Sequence, residues 1–301
     1  MEDDIDPVRW LLFPPTAILL VQLVFAFAGY VVLLVERGEP VVVTGRTLSI
    51  YVREAAARTW FVFLWPLSWF GGALEPGSVP AGKERRSPPI MLVPGYGHRR
   101  TSMRYLQKFL VARGFRWVWP IDHVSRNATL AQRAEHLGRK IAEIQQITGA
   151  EQVDIVAFST GGLVAAWYCK RMSGGRNVRR LVTLGTPWRG TKLAVFARGP
   201  GAAELMYGAH MLDDLAPPGV SAVSIWSPDD PIVVPTTSAT PDGVESVCIE
   251  AAGHVELLVS ARAFRAVFAA LQHAPIRTQP EAMPPLPSDS IAPMANPAVI
   301  P

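Results

Sequence analysis

The run from Val153 to Val164 constrains the fold of this chain more than any other stretch. It begins with an apolar strand pattern, VDIVAF, continues through Ser159 and turns at once into a helical pattern. Small residues stand two positions before and two positions after the serine, so that strand and helix can approach closely. The run therefore predicts a serine on a sharp strand-to-helix turn, with its hydroxyl above a sheet and beside a helix N-terminus.

The segments on either side of this turn alternate between short apolar strands and helices. Residues 90–273 contain about six strand patterns separated by helical ones, which is typical of a mainly parallel α/β sheet. One helix is marked at both ends, because Thr129 and Gln132 have the spacing of a capping box and Gly149 follows its last apolar position. We therefore predict a single α/β domain over residues 90–273.

Two segments of different composition border this domain. Residues 76–89 are rich in proline, glycine and charge and predict a linker. Residues 274–301 are rich in proline and lack apolar periodicity, so we expect this tail to be disordered. The 301 residues thus divide into an N-terminal region 1–75, the linker, the α/β domain and the tail.

The N-terminal region contains a long apolar run. Residues 16–35 read TAILLVQLVFAFAGYVVLLV, and Gln22 is their only strongly polar side chain. The run is long enough to cross a bilayer, whereas a buried core helix of this length usually keeps a polar stripe. Ala26-Phe27-Ala28 resembles a signal-peptide cleavage site, but residues 1–4 are acidic where a signal peptide needs positive charge. We predict an uncleaved membrane anchor over residues 16–35 and hence a protein of the bacterial inner membrane.

A second apolar patch, residues 60–74, is short for a span and rich in tryptophan, which favours the headgroup region. Residues 48–58 before it fit an amphipathic helix on the membrane surface. The alternative is that this whole stretch packs against the α/β domain. Four arginines between residues 36 and 58 outnumber Arg9 on the other flank and favour a cytoplasmic loop there. The membrane face of the α/β domain stays open, because it depends on whether the second patch crosses.

Two polar segments follow the last two predicted strands. A turn with Asp229 and Asp230 follows the next-to-last strand, and His254 stands in a Gly-His loop between the last strand and the last helix. With Ser159 they give the order serine, aspartate, histidine, each at the carboxyl end of a strand, which is the order of α/β-hydrolase triads. A serine needs an adjacent imidazole to remove its proton, and a carboxylate orients that imidazole. We predict Ser159 as nucleophile, His254 as base and Asp230 as the acid.

Other residues compete for these roles. Asp229 is the alternative acid, although it could instead cap the turn. His98 and His123 also lie near predicted strand ends, and His98 could reach the same pocket. Asp154 is less suited, because it lies inside the strand before the serine rather than at its end.

A tetrahedral intermediate also needs two backbone N–H donors for its oxyanion. Thr160 directly follows the serine at the helix N-terminus and is the first predicted donor. Tyr96 lies in a glycine-flanked loop after the first strand and is the second, with an ordinary tight turn as the alternative for that loop. No cluster of carboxylates indicates a metal site, and we expect no cofactor.

Five segments resemble those of bacterial triacylglycerol lipases and related esterases of the α/β-hydrolase superfamily. They are LVPGYG, VDIVAFSTGGLVA, LVTLGTPWRGT, SIWSPDDPIVVP and EAAGHVELLVS, spread over residues 88–273. The resemblance implies a minimal α/β-hydrolase fold with Ser159, Asp230 and His254 as its triad. It also implies hydrolysis of carboxylic esters, with lipid-like acyl esters as the expected substrates.

The chain departs from the family pattern around the predicted pocket. Pro94-Gly95 stands where the family usually has His-Gly, and Ala157-Phe158 stands where it has Gly-His. Trp188 replaces the histidine of a Thr-Pro-His-x-Gly loop. Phe158 and Trp188 are therefore candidate substrate-binding residues. Residues 194–215 predict either a short apolar lid over the acyl site or a helix packed on the core.

The same triad would also serve an acyltransferase or a thioesterase, and a domain without activity could act as a membrane-binding module. The net charge of +4 comes from scattered arginines, without a nucleic-acid-binding motif. A basic protein beside an anionic bilayer needs no nucleic acid to explain its charge. The expected partners are a lipid or acyl ester and the membrane, and not nucleic acid.

Overall fold

Short parallel strands form the centre of the molecule. The computed structural model describes residues 7–64, 87–122, 128–172, 174–197, 199–213, 215 and 220–272, with the backbone alone for 7–15 and 200. The sheet has the order β2-β1-β3-β4-β5-β6, and all neighbouring strands are parallel. Its strands are β1 Ile90–Val93, β2 Val118–Pro120, β3 Val153–Phe158, β4 Val178–Leu184, β5 Ser221–Trp226 and β6 Glu245–Cys248. The predicted α/β class and parallel sheet are confirmed.

Helices cover both faces of this sheet. The helices of the described residues are α1 Pro7–Arg37, α2 Gly45–Leu64, α3 Arg104–Ala112, α4 Leu130–Thr148, α5 Thr160–Arg171 and α6 Ala261–Gln272. α4 and α5 pack with Met91 and Ile155 in one apolar cluster, whereas α2, α3 and α6 pack with Leu92 and Val156 in the other. Alternate strand residues thus face opposite layers, which explains why the central strands are apolar throughout.

The capping signals of α4 form as predicted. The hydroxyl of Thr129 accepts the N–H of Gln132 at 3.3 Å, and the Gln132 side chain accepts the N–H of Thr129 at 3.0 Å. Gly149 ends the helix in the left-handed conformation, with φ of 69°. Local chemistry therefore sets both ends of this helix.

The regions after β4 and after β6 contain 3₁₀ turns. The last helix begins at Ala261, and Val255–Leu258 form a separate 3₁₀ turn directly after His254. The carboxylate of Glu54 accepts two N–H groups of this turn, which holds it apart from α6. The stretch after β4 folds into 3₁₀ turns at Lys192–Phe196, Pro200–Leu205 and His210–Leu212 rather than into one helix.

The helices α1 and α2, which we call the N-terminal hairpin, pack on the α/β domain. Gly29 lies so close to Pro231 that a Cβ there would be 2.5 Å from its carbonyl oxygen. Arg37 donates to the carbonyl of Pro228, and Lys192 pairs with Glu36. Of the two alternatives for residues 48–58, the structure supports packing against the domain, since six residues of α2 are buried: Ile50, Tyr51, Glu54, Ala55, Ala57 and Phe61.

One helix segment in the described part of the chain, Thr16–Arg37, is long and apolar enough to cross a membrane. Its mean hydropathy is 2.7, and 22% of its most apolar window is buried. These properties suit a membrane anchor, a signal sequence and a core helix alike. The predicted linker up to residue 86, most of the second apolar patch, His123 and the proline-rich tail lie outside the described residues.

Candidate active site

Ser159 stands at the carboxyl end of β3 in a backbone conformation that few side chains adopt. Its φ of 53° and ψ of −129° turn the chain sharply into α5. Three hydrogen bonds hold this peptide unit: the N–H donates to Leu184 O at 2.8 Å, and the carbonyl accepts from Gly162 N at 3.0 Å and Thr186 Oγ1 at 2.8 Å. Such a conformation persists only where its surroundings hold it, so the turn aims the hydroxyl out of the sheet.

Glycines let the neighbouring chain approach this turn. A Cβ on Gly95 would lie 2.7 Å from the Cβ of Ser159. A Cβ on Gly161 would lie 2.6 Å from the carbonyl oxygens of Val93 and Pro94. Both positions therefore require glycine, because the loop after β1 and the first turn of α5 are in direct contact.

The structure brings the three predicted triad residues together. His254 Nε2 lies 3.0 Å from Ser159 Oγ, and His254 Nδ1 lies 2.6 Å from Asp230 Oδ2. The other oxygen of Asp230 accepts the N–H groups of Ile232 at 2.8 Å and Val233 at 3.0 Å. All three side chains are buried. With the Nδ1 proton directed at the carboxylate, Nε2 is left to accept the serine proton.

Asp229, the alternative acid, has a different position. Its carboxylate accepts the N–H of Ala251 at 2.7 Å and lies 3.7 Å from the guanidinium of Arg46. Ala251 has a φ of 53°, so this hydrogen bond supports a strained residue three positions before His254. The geometry therefore gives the two neighbouring aspartates separate tasks, with Asp230 on the imidazole and Asp229 on the loop that carries it.

The two predicted oxyanion donors lie on either side of the serine. Thr160 is the first residue of α5, and Tyr96 follows Gly95 in the loop that touches Ser159. Tyr96, Ser159 and Thr160 all line the same cavity. N–H groups at a helix N-terminus and in such a loop are suited to an oxyanion at this point.

A cavity of about 490 Å³ opens above the serine. Most of its surface is apolar, and its wall is formed by the loop after β1, the 3₁₀ turns after β4, the N-terminal hairpin, and Ile232 and Val255 from the loops that carry Asp230 and His254. The hairpin contributes Gln22, Phe25, Arg58, Phe61 and Val62. Sequence reasoning missed these residues as part of a site. The signal was present, since Gln22 is the lone polar residue of its run and it accepts a hydrogen bond from Arg58 Nε at 2.8 Å.

The residues between 194 and 215 lie partly in the cavity wall and partly on the core, and they form 3₁₀ turns instead of the helix that was one of the two predicted alternatives. Ala194, Phe196, Ala197 and Leu205 line the cavity, while Leu212 and Leu215 belong to the core cluster beneath α4 and α5. Phe196 contacts Phe25 of α1, with ring centroids 6.4 Å apart. The cavity is therefore roofed by this segment together with the hairpin.

Phe158 and Trp188, the predicted substrate-binding residues, lie behind the cavity rather than in its wall. Phe158 is fully buried, and its ring centroid lies 4.8 Å from that of His254 and 5.3 Å from that of His98. Trp188 is also buried, with its indole N–H directed at Ser224 Oγ. The prediction of substrate contact fails here because both side chains turn into the core. His98, by contrast, lines the cavity.

Asp154 lies away from the site, as its place within the strand indicates. Arg179 on β4 donates from Nε to its Oδ1 at 2.8 Å. Burial raises the pKa of this carboxyl, and the arginine opposes that shift. Among the described residues, no three His, Cys, Asp or Glu side chains converge as metal ligands do.

The sequence matches no protein-family model. Among solved structures, the chain is similar to lipase BlEst2 of Bacillus licheniformis in its mature form, with a TM-score of 0.58 at 16% identity over 65% of this chain and 96% of that one. The propeptide form of the same lipase gives a TM-score of 0.57 at 17% identity over 66% and 53%. Lipase B of Aspergillus fumigatus gives 0.54 at 18% identity over 65% and 56%. These similarities show that the chain has an α/β-hydrolase fold.

Proposed function

We propose that this chain is a serine hydrolase that cleaves carboxylic esters with lipid-like acyl groups. The carrying observation is the continuous hydrogen-bonded series from Asp230 through His254 to Ser159, whose hydroxyl faces an apolar cavity. The similarity in fold to solved lipases supports the same reaction class. Ser159 serves as the nucleophile, His254 as the general base and Asp230 as the residue that orients the imidazole.

The reaction follows from this order of groups. His254 takes the proton of Ser159 as Oγ attacks the ester carbonyl, and Asp230 stabilises the imidazolium. The N–H groups of Tyr96 and Thr160 bind the oxyanion. The imidazolium then returns the proton to the leaving alcohol. Water, activated by the same imidazole, hydrolyses the acyl-enzyme and frees the acid.

The cavity walls favour an apolar acyl group as the bound part of the substrate. Phe25, Leu193, Leu205 and Ile232 contribute side chains to them. Removing apolar surface from water on both partners contributes about 25 cal/mol for each Å² buried, so each added methylene strengthens binding until the cavity is full. This argument predicts that kcat/KM rises with acyl length and then falls.

We also propose that α1 holds the enzyme at a lipid surface. Its outward side is apolar, with Leu20, Val21 and Val24 each 63% exposed. Its other side contributes Gln22 and Phe25 to the cavity wall. A lipid surface against the outward side would thus lie close to the roof of the cavity. Flotation of the protein with phospholipid vesicles tests this, and protein that stays at the bottom of the gradient contradicts it.

A fluorophosphonate probe tests the proposed chemistry directly. The folded protein should be labelled at Ser159, as mass spectrometry of the modified peptide would show, and the variants Ser159→Ala and His254→Ala should not be labelled. A series of p-nitrophenyl esters of increasing acyl length then reports the substrate class. An imidazole can act as a base from about pH 6 to about pH 9. The proposed function is rejected if the folded wild-type protein is neither labelled nor active on any ester in that range.

A further inference from the structure

The loop that carries His254 has little regular structure of its own. It follows β6, the last strand of the sheet, and leads into the 3₁₀ turn Val255–Leu258. Carboxylates accept four of its N–H groups: Asp229 binds Ala251, Glu256 binds Gly253, and Glu54 binds both Val255 and Glu256. The position of the imidazole therefore depends on side chains that surround the loop.

Glu54 is the one carboxylate among these that comes from the N-terminal hairpin. It lies on α2, is 1% exposed, and its Oε2 accepts the N–H of Val255 at 2.8 Å and of Glu256 at 3.0 Å. A Cβ on Gly253 would lie 2.5 Å from the same oxygen, so the residue before His254 has to be small for the carboxylate to reach. These contacts place a buried carboxyl group on the peptide bonds directly next to the histidine.

Arg53, which precedes Glu54 on α2, also donates hydrogen bonds to this loop. Arg53 donates from Nη2 to the carbonyl of Ala251 at 2.8 Å and from Nε to Glu256 Oε1 at 2.8 Å. Arg53 and Glu54 thus contact residues before and after His254. Two adjacent side chains on one helix turn form a clamp around the histidine.

A cation on α2 accompanies this buried carboxyl group. Arg58 Nη1 lies 3.7 Å from Glu54 Oε1, an oxygen without a hydrogen-bond partner in the described part of the chain. Burial raises the pKa of Glu54, and Arg58, His254 and the N–H of Glu256 act in the opposite direction. Arg58 also donates to Gln22 of α1 and lies over the ring of Phe25 at 4.4 Å. Both hairpin helices are therefore connected to the residue that holds the His254 loop.

We propose that Glu54 is a positioning residue for His254, so that the N-terminal hairpin completes the active site. The inference rests on the proposed function, since it assigns Glu54 a part in the same reaction. Glu54 holds the turn that fixes the imidazole at Ser159, and its negative charge stabilises the imidazolium that forms when the serine proton is taken. Among the described residues, no group in the domain from β1 to α6 accepts the N–H of Val255, so this hydrogen bond depends on Glu54.

The charge of Glu54 predicts a change in pH dependence that a purely structural residue would not produce. Asp230 contacts Nδ1 of His254 directly. Glu54 contacts the turn after His254, and Arg58 lies beside Glu54. Three further charged side chains contact or belong to the His254 loop: Asp229, Arg53 and Glu256. Loss of the Glu54 charge makes the imidazolium that forms during the reaction less favourable. The acidic limb of kcat/KM should then move to lower pH.

The test compares Glu54→Gln with the wild-type full chain in fluorophosphonate labelling and ester hydrolysis across pH. Glutamine keeps the shape and one acceptor but removes the charge. We expect a loss of kcat of about tenfold and a downward shift of the acidic limb of about half a pH unit or more. The matched control is Glu36→Gln, which removes a carboxylate of α1 that pairs with Lys192. This control should keep the wild-type limb.

Glu54→Asp separates charge from reach. It retains the anion but is one methylene too short for both N–H groups, so kcat should fall while the limb stays in place. Glu54→Gln and Glu54→Asp that both match the wild type in rate and limb overturn the inference. If Glu54→Gln does not fold, Glu54→Asp decides, because wild-type labelling by a variant that cannot reach the loop also overturns it. A wild-type protein without labelling instead rejects the proposed function itself.

Discussion

Ser159 Oγ and His254 Nε2 are 3.0 Å apart, yet one residue follows a central strand and the other follows an edge strand. Ser159 ends β3, which has β1 on one side and β4 on the other. His254 follows β6, an edge strand whose residues are mostly exposed. A central strand fixes the residue at its end through backbone pairing and close packing, whereas an edge strand supplies only half of that support.

The supports of the two residues differ accordingly in range. The turn at Ser159 is held by two backbone hydrogen bonds, by the hydroxyl of Thr186 just after the neighbouring strand, and by glycines that let the neighbouring chain approach. The His254 loop is held by side chains from the aspartate turn and from Glu54, which is 201 residues from its partner Val255. The sheet therefore positions Ser159, the proposed nucleophile, whereas contacts from outside the sheet position His254, the proposed base.

The largest expected effect follows from removing either proposed reacting group, Ser159 or His254, and the two losses should be equally large. Ser159→Ala and His254→Ala should each lower kcat by about 10⁴-fold or more, because members of a triad act as a unit. The double variant should be no slower than either single variant. Initial rates on a short-chain p-nitrophenyl ester, with circular dichroism to confirm folding, measure this. A substantially active Ser159→Ala variant contradicts the assignment of the nucleophile.

Close packing at the nucleophile gives the next largest effect. Gly95→Ala places a methyl group 2.7 Å from the Cβ of Ser159 and should displace the loop that carries the Tyr96 donor. We expect kcat to fall by about 100-fold, the loss typical for one oxyanion donor, with a smaller change in KM. Gly45→Ala is the matched control, since no atom lies within 4 Å of a Cβ there. Equal rates for the two variants would show that the loop tolerates the methyl group.

The same comparison explains what the sequence could predict. The strand, small residues and helix around Ser159 are contiguous, and α4 carries its own caps, so local patterns sufficed for both. The order of Asp230 and His254 along the chain sufficed to predict that both side chains lie near Ser159. Contacts between distant segments leave little local pattern, and for the hairpin wall of the cavity the signal in the sequence was the single polar residue Gln22 in an apolar run. The inward turn of Phe158 and Trp188 was missed because sequence alone does not show which way a side chain faces.

The aspartate that supports the His254 loop should have a smaller effect than the triad. Asp229→Ala leaves the N–H of the strained residue Ala251 without its acceptor. Loss of one hydrogen bond to a charged group costs about 1.5 to 3 kcal/mol. Because only part of this loss is transmitted from Ala251 to the imidazole, we expect kcat to fall by about tenfold. Asp242→Ala, which removes an exposed partner of Arg189, should leave the rate unchanged. A fall as large as that of His254→Ala would instead indicate that Asp229 contacts the imidazole.

The last prediction concerns the two cysteine thiols and involves no change in the rate of ester hydrolysis. It compares the packing around Ser159 with the packing around the His254 loop. Cys169 lies on α5 behind the nucleophile and is buried, whereas Cys248 ends β6 before the His254 loop and is exposed. Burial raises the pKa of Cys169 to about 12, so its thiolate is nearly absent at pH 8. We expect an aromatic disulfide reagent to modify Cys248 in the native protein and Cys169 only after unfolding. The variant Cys248→Ser should therefore have no thiol that reacts rapidly in the native state. Rapid modification of Cys169 would instead mean that the structure around α5 opens as readily as the edge strand β6.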